Sequence, residues 1–315
     1  MTRSSACSSQ SPGGVARHGR STPSLALLVR VLIAIGLVLP TASVLAQGEP
    51  PVGVRAAGMA GAFTAVADDA TAAVWNPAGL ASGSYFSVAL DGSHFDRQSA
   101  LFAGFGSPPL ALTYLRSATA GVSRGRNMLV AHNFGVSLVQ SVGDTGLAVG
   151  TTLKLVHGVT SGGGVPSASA NAFDADAGVM LSGGLGQIGL AVRNLSRPSF
   201  GEIRMDRKVR GGAAVHVNDR TTLAADVEFT KDSAAGGWRD AAVGIETHPL
   251  SSTWIRGGIH WNTAGAQAGE PSGARPIVAL GMSYALRGAL MADAQASVGS
   301  AAGNRGWGIG LRFAF

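Results

Sequence analysis

Lys208-Val209-Arg210-Gly211-Gly212-Ala213-Ala214-Val215-His216-Val217-Asn218 changes character at almost every step. On an extended chain, successive side chains point to opposite faces. Val209, Gly211, Ala213, Val215 and Val217 therefore share one face, and Lys208, Arg210, Gly212, Ala214, His216 and Asn218 share the other. The same period of two returns along the chain. Leu223, Ala225, Val227 and Phe229 oppose Asp226, Glu228 and Thr230. Val243, Ile245 and Thr247 oppose Asp240, Glu246 and His248. Ile255, Gly257, Ile259 and Trp261 oppose Trp254, Arg256, Gly258 and His260. Phe173, Ala175, Ala177, Val179 and Leu181 oppose Asp174, Asp176 and Gly178. Each segment runs about ten residues, the length of a tilted strand crossing a bilayer.

About fourteen such segments fit between Ser84 and Phe315, the size range of outer-membrane barrels. Short connections are read near 107–109, 141–145, 183–185, 218–220, 249–251 and 286–287. Longer ones are read near 93–99, 117–128, 158–170, 195–206, 232–238, 263–274 and 299–304. Short and long alternate, as they do when one rim of a barrel carries tight turns and the other carries loops. The expected fold is all-β, a transmembrane antiparallel β-barrel over 84–315. A charge facing lipid costs a few kcal/mol, so Asp174, Arg210, Asp226, Glu228, Arg256 and His260 are placed in the lumen. Their mixed signs point to ion-paired walls. In the last segment Trp307, Ile309, Leu311, Phe313 and Phe315 share a face. Trp307, Phe313 and the terminal Phe315 are read as the signal presented to barrel-assembly machinery, with outer-membrane lipid as the surroundings.

Composition agrees. Of 315 residues, 46 are Gly and only 13% are charged, against roughly 25% charged in ordinary soluble domains. Residues 1–46 read as an export signal. Arg3, Arg17, Arg20 and Arg30 precede an apolar run from Val31 to Leu39, Pro40 follows, and Val44-Leu45-Ala46 offers a small-residue cleavage site. The run is too short to span a bilayer. The protein's single cysteine, Cys7, lies within this leader. The formal charge of +6 owes much to the four leader arginines, so no basic surface for nucleic acid is read. No cofactor or metal site is read either. Adjacent Asp68 and Asp69 supply too few oxygens for calcium and suit the cap of a short helix over Ala70 to Val74. No spacing assembles a nucleophile, base and orienter, so the chain is not expected to be an enzyme.

Residues 47–83 break the period of two. Small residues dominate, which lets backbone approach backbone closely. Pro77 forces Asn76 out of the helical region. A compact apolar segment ahead of a barrel has a natural place inside it. The residues carrying a more specific likeness are Arg55, Gly58, Met59, Gly61 and Ala62. Ala67-Asp68-Asp69-Ala70 and Trp75-Asn76-Pro77-Ala78-Gly79-Leu80 complete it. Together they resemble the N-terminal hatch of the long-chain fatty acid transporter (FadL) superfamily, and within it the PorV/PorQ-type branch. The chain departs from the commonest form at Ala60, where that family often has Gly.

The resemblance implies a hatch that plugs the lumen and a hydrophobic, fatty-acid-like solute that leaves sideways through the wall. It nominates Asn76, Pro77 and Ala78 as the hatch turn, Gly58 and Gly61 as hatch glycines, and Phe63 and Trp75 as apolar contacts. Passive passage of hydrophobic small molecules is thus the leading reading. A PorV-like component that binds secretion-system proteins is the alternative, and a structural outer-membrane protein is the third.

Overall fold

The computed structural model describes residues 51–121, 127–162, 165–201, 203–231, 239–263, 276–299 and 305–315. The export signal read over 1–46 lies outside the described residues, as do residues 47–50 of the segment after it.

The strands are β1 (Ser87–Phe95), β2 (Gln98–Ser107), β3 (Leu110–Gly121), β4 (Asn127–Ser141), β5 (Leu147–Gly162), β6 (Val165–Gly183) and β7 (Gly186–Arg193). Then come the short β8 (Ser199–Phe200) and β9 (Ile203–Arg204), followed by β10 (Lys208–Asn218), β11 (Thr221–Glu228) and β12 (Asp240–Leu250). The last are β13 (Thr253–Asn262), β14 (Ile277–Arg287), β15 (Leu290–Gly299) and β16 (Arg305–Ala314). Fourteen of these described strands form one closed antiparallel barrel, and β8–β9 form a separate two-stranded ribbon. Closure joins β1 to β16, from Ser87 opposite Ala314 to Phe95 opposite Gly306. Closing the ladder satisfies every edge, which an open sheet in lipid could not do.

The two faces separate as the period of two requires. Phe173 is 82% exposed on the outer wall, while its neighbour Asp174 is 5% exposed within the lumen. Leu153, Leu190, Val227, Val243, Ile255, Ile309 and Leu311 are exposed outside. Arg210, Asp226, Glu228, Arg256, Asp293 and Arg312 are buried inside. A sheet with its apolar side chains outside and its charges inside is stable in lipid, not in water. Ile245, central in β12, faces outward. Ile245→Arg is therefore expected to cost about 2–4 kcal/mol of barrel stability. Urea unfolding from lipid vesicles measures this, and a loss below half a kcal/mol would put Ile245 on the wrong face.

Two expected connections prove to be strand. Only Asp96 and Arg97 separate β1 from β2, where a loop over 93–99 was expected. β5 runs to Gly162 and β6 begins at Val165, where a loop over 158–170 was expected. Individual strands accordingly reach 16 and 19 residues, well beyond ten. The reason is physical: beyond the lipid both faces meet water, so a strand there needs no alternation, and Ser and Gly can still pair. The β7–β10 connection turns inward, and Phe200 and Ile203 are buried. Phe200 packs with Ala131 and Val156 of the inner wall, directly over Gly158, where a Cβ would meet its ring at 2.4 Å.

Residues 51–83 form helix α1 (Val54–Gly58), helix α2 (Ala72–Trp75) and a 3-10 turn (Pro77–Ser82). Met59, Phe63, Ala65, Trp75 and Ala78 cluster with the inward side chains Ala111, Val139, Ala148, Met180, Ala214, Ala224 and Ala242. Small wall residues leave the room the segment occupies. Gly58 lies so close to Gly281 of β14 that a Cβ on either would stand 2.9 Å from the other's Cα.

Candidate functional site

The segment meets the wall through ion pairs and capping bonds. Arg55 on α1 reaches Glu246 of β12 with both arms of its guanidinium, Nε donating to Oε2 at 2.9 Å and Nη2 to Oε1 at 2.7 Å. Its Nη1 donates to Asp68 and, at 3.2 Å, to Asp69. Such forked arginine–carboxylate contacts are among the stronger and most directional polar contacts. From Glu246 the chain of contacts continues along the wall through Arg256, Ser283 and Asp293 to Arg312. Arg312 Nη1 then returns to Asp69 Oδ2 at 3.4 Å.

Asp68 and Asp69 were expected to cap a helix over Ala70 to Val74; Asp69 does take an amide just ahead of the helix, and both carboxylates also hold arginine. Helix α2 begins later, at Ala72, and Thr71 caps it without a side-chain bond. Asp69 Oδ1 accepts from the Thr71 amide and hydroxyl, while its Oδ2 faces two guanidiniums. Burial pushes the Asp69 carboxyl up, but Arg55, Arg312 and the Thr71 bonds outweigh it and hold it below the usual carboxylate range.

A second anchor lies at Asp226 of β11. Its Oδ2 accepts from the amides of Phe63 and Thr64 at 3.1 and 2.9 Å, from Thr64 Oγ1 at 2.6 Å, and from Arg210 Nε at 3.0 Å. Arg210 also donates to the Gly61 carbonyl at 2.8 Å and sits over the Trp75 ring at 5.4 Å. Phe63 and Trp75 meet edge to face at 5.9 Å, and Trp75 Nε1 donates to the Val52 carbonyl at 2.7 Å. Both rings are buried in this packing.

Asn76 is fully buried and organises the third contact. Its Oδ1 accepts from the Ala78 amide, and its Nδ2 donates to the carbonyls of Thr64 and Val179, all at 3.1–3.2 Å. Pro77 opens the 3-10 turn, where its missing N–H costs nothing. The Asn76-Pro77-Ala78 turn lies against Gly150 and Gly178 of the wall.

Gly61 and Ala60 both have positive φ, 79° and 54°. Ala60 pays about 1–2 kcal/mol for that left-handed backbone. Ala60→Gly is expected to raise stability by up to about 1 kcal/mol, the gain being reduced by glycine's greater unfolded freedom. A urea midpoint unchanged or lowered would contradict the strain.

The predicted lumen residues gather in three groups. Arg210, Asp226 and Glu228 sit with Asp240, Arg256 belongs to the Glu246 chain, and Asp174 joins Asp176 around Lys154 at 2.7–2.8 Å. His260 faces Arg210, Glu228, Asp240 and Trp75 across a cavity of about 20 Å³, room for about one water. Glu228 Oε1 and His260 Nε2 have no hydrogen-bond partner there. Arg55, Glu246 and Asp69 escaped sequence reasoning as contact residues; the opposite signs on facing segments were the signal. Trp307, Phe313 and Phe315 lie on the outer wall, and Phe86 stacks on Phe315 at 5.1 Å where the barrel closes. Among the described residues, no cluster of three or more His, Cys, Asp or Glu is placed to hold a metal ion.

No protein-family model matches the chain, and no curated protein sequence matches it. Solved structures do. The CymD monoaromatic hydrocarbon channel superposes with a TM-score of 0.63 at 15% identity, covering 84% of this chain and 97% of that one. A FadL homologue of Pseudomonas aeruginosa gives 0.57 at 13%, covering 88% and 100%. The toluene transporter TodX of Pseudomonas putida gives 0.54 at 12%, covering 85% and 98%. The chain has the fold of these channels. At such identities the likeness is one of backbone architecture.

Proposed function

We propose that the protein is an outer-membrane channel for hydrophobic small molecules, with residues 51–83 acting as a hatch in its lumen. The observation that carries this reading is the seating of that segment. It occupies the inside of a barrel with the fold of hydrocarbon channels, and it is held by a finite set of polar contacts at Arg55, Asp226 and Asn76. Beside it the cavity near Trp75 admits little more than a water. In this reading passage opens when the segment, or part of it, shifts. The Asn76-Pro77-Ala78 turn is the part whose release exposes the inner wall at β5 and β6. An apolar solute then gains free energy by leaving the wet lumen for lipid.

Uptake of toluene into vesicles carrying the purified barrel tests this reading. Protein-dependent uptake that rises when Asn76→Ala loosens the turn is the expected result. Uptake equal to that of protein-free vesicles would overturn it. Mild-detergent purification from the native membrane separates this reading from the PorV-like one. A stoichiometric secretion-system protein with no apolar solute would favour the latter. In either case Trp307, Phe313 and Phe315 on the outer wall suit recognition by barrel-assembly machinery.

A further inference from the structure

On the outer wall, four adjacent strands present a polar rung. Arg116 of β3 lies opposite His132 of β4, His132 opposite His157 of β5, and His157 opposite Asn171 of β6. All four are on the face that carries Phe134, Leu155 and Phe173. Tyr114 Oη is hydrogen-bonded to His132 Nδ1 at 2.9 Å, the two imidazoles stand 6.2 Å apart, and His157 Nδ1 is bonded to Asn171 Oδ1 at 2.7 Å. Arg116 has no acidic partner among the described residues. Strand spacing makes the rung about 14 Å wide.

The next outward rung is Tyr114, Phe134, Leu155 and Phe173, again in register across the same strands. These side chains, with Leu90 and Phe105, line an apolar hollow of about 830 Å³ in the outer wall. It opens broadly to the surroundings, as a depression wide enough for an acyl chain to lie along.

Height fixes the surroundings. From Leu147, at the rim of tight turns, to His157 is ten residues along β5. That is about 33 Å of strand, or about 25 Å of height at the usual tilt, which matches the apolar band of a membrane barrel. The rung therefore stands where lipid headgroups begin, and the hollow lies just inside the acyl layer. Toward the same rim the other described strands turn mainly apolar or aromatic side chains outward, as at Leu101, Phe229, Trp261 and Trp307.

We propose that β3–β6 form a binding site for a phosphorylated, anionic membrane lipid, its headgroup on the Arg116–His132–His157–Asn171 rung and an acyl chain in the hollow beneath. Charge complementarity selects the headgroup: a guanidinium with no acidic partner among the described residues, with imidazole and amide donors, suits a phosphate monoester. The apolar hollow, continuous with the rung, selects an amphiphile over free phosphate. This inference rests on the barrel lying in a bilayer and is independent of what crosses its lumen.

Native mass spectrometry of the full-length barrel in mild detergent tests it, with phosphatidic acid and phosphatidylcholine of identical chains as probes. Phosphatidic acid is expected to be retained about tenfold better, a difference of about 1.4 kcal/mol. Arg116→Gln with His132→Gln and His157→Gln should abolish the preference. Phe173→Ala should weaken retention of both lipids. Heat-modified gel mobility confirms that each variant is folded, and Arg116→Gln alone serves if the triple variant is not. Equal retention of the two lipids would overturn the proposal. So would displacement by millimolar inorganic phosphate, or a dimer that buries this wall.

Discussion

Arg55→Met is expected to release the inner segment from the wall. The guanidinium neutralises Asp68, Asp69 and Glu246 together, all three within its reach, and it covers the Phe63 ring at 5.2 Å. Removing one partner of such a buried group leaves uncompensated charge and costs about 3–5 kcal/mol. An equilibrium between seated and released segment then shifts by more than about a hundredfold. Two measurements read this. Limited proteolysis should cut within residues 51–83 in the variant and spare the wild type. Ion conductance across a planar bilayer should rise, because water and salt enter the vacated lumen. Arg55→Lys should fall between the two, since an ammonium supplies the charge without the fork that grips Glu246. If cleavage and conductance match the wild type, then the ion pairs do not hold the segment.

Gly178→Val is expected to dislodge the Asn76-Pro77-Ala78 turn while leaving the outer wall intact. A Cβ at Gly178 would stand 2.0 Å from Asn76 Oδ1 and 2.9 Å from Pro77 Cδ. Neither atom can withdraw, because Asn76 is fixed by three bonds and the proline ring by its own backbone. Overpacking of this kind costs about 1–3 kcal/mol or more, and stranding the buried Asn76 amide adds about 1–3 kcal/mol. Gly150→Val should act alike, since its Cβ would meet the Pro77 carbonyl carbon at 2.4 Å. Gly92→Val is the control: nothing lies within 4 Å of its Cβ. Toluene uptake should rise in the first two variants and stay unchanged in the third. Three equal rates would mean that the turn is not seated on the wall.

The barrel was legible in the sequence because lipid enforces a rule on single residues. Phe173 beside Asp174, or Val227 beside Glu228, can be explained only by two faces in opposite media. The rule lapses outside the bilayer. Ser161-Gly162 and the Ser and Ala residues after Pro166 read as loop, yet strand pairing continues through most of them. Asn76 and Pro77 declared a turn from local chemistry alone, and the turn is there. Asp68 and Asp69 were legible only in part: the bond from Asp69 to the Thr71 amide is local, but the arginine contacts are not. Their partners Arg55 and Arg312 are fixed by tertiary packing, 13 and 243 residues away along the chain. The outer hollow was equally invisible, because its lining is ordinary lipid-facing Leu and Phe until six strands are set side by side.

The ion pairs of the inner segment also order events during biogenesis. Residues 51–83 precede every described strand, yet Glu246, Gly281, Asp293 and Arg312, which surround α1 and Asp69, arrive with the last five of these. The segment cannot be locked until β16 has come back to β1. Chain order thus delivers the segment first and most of its charged partners last, so its full set of ion pairs is complete only when the final strand is added.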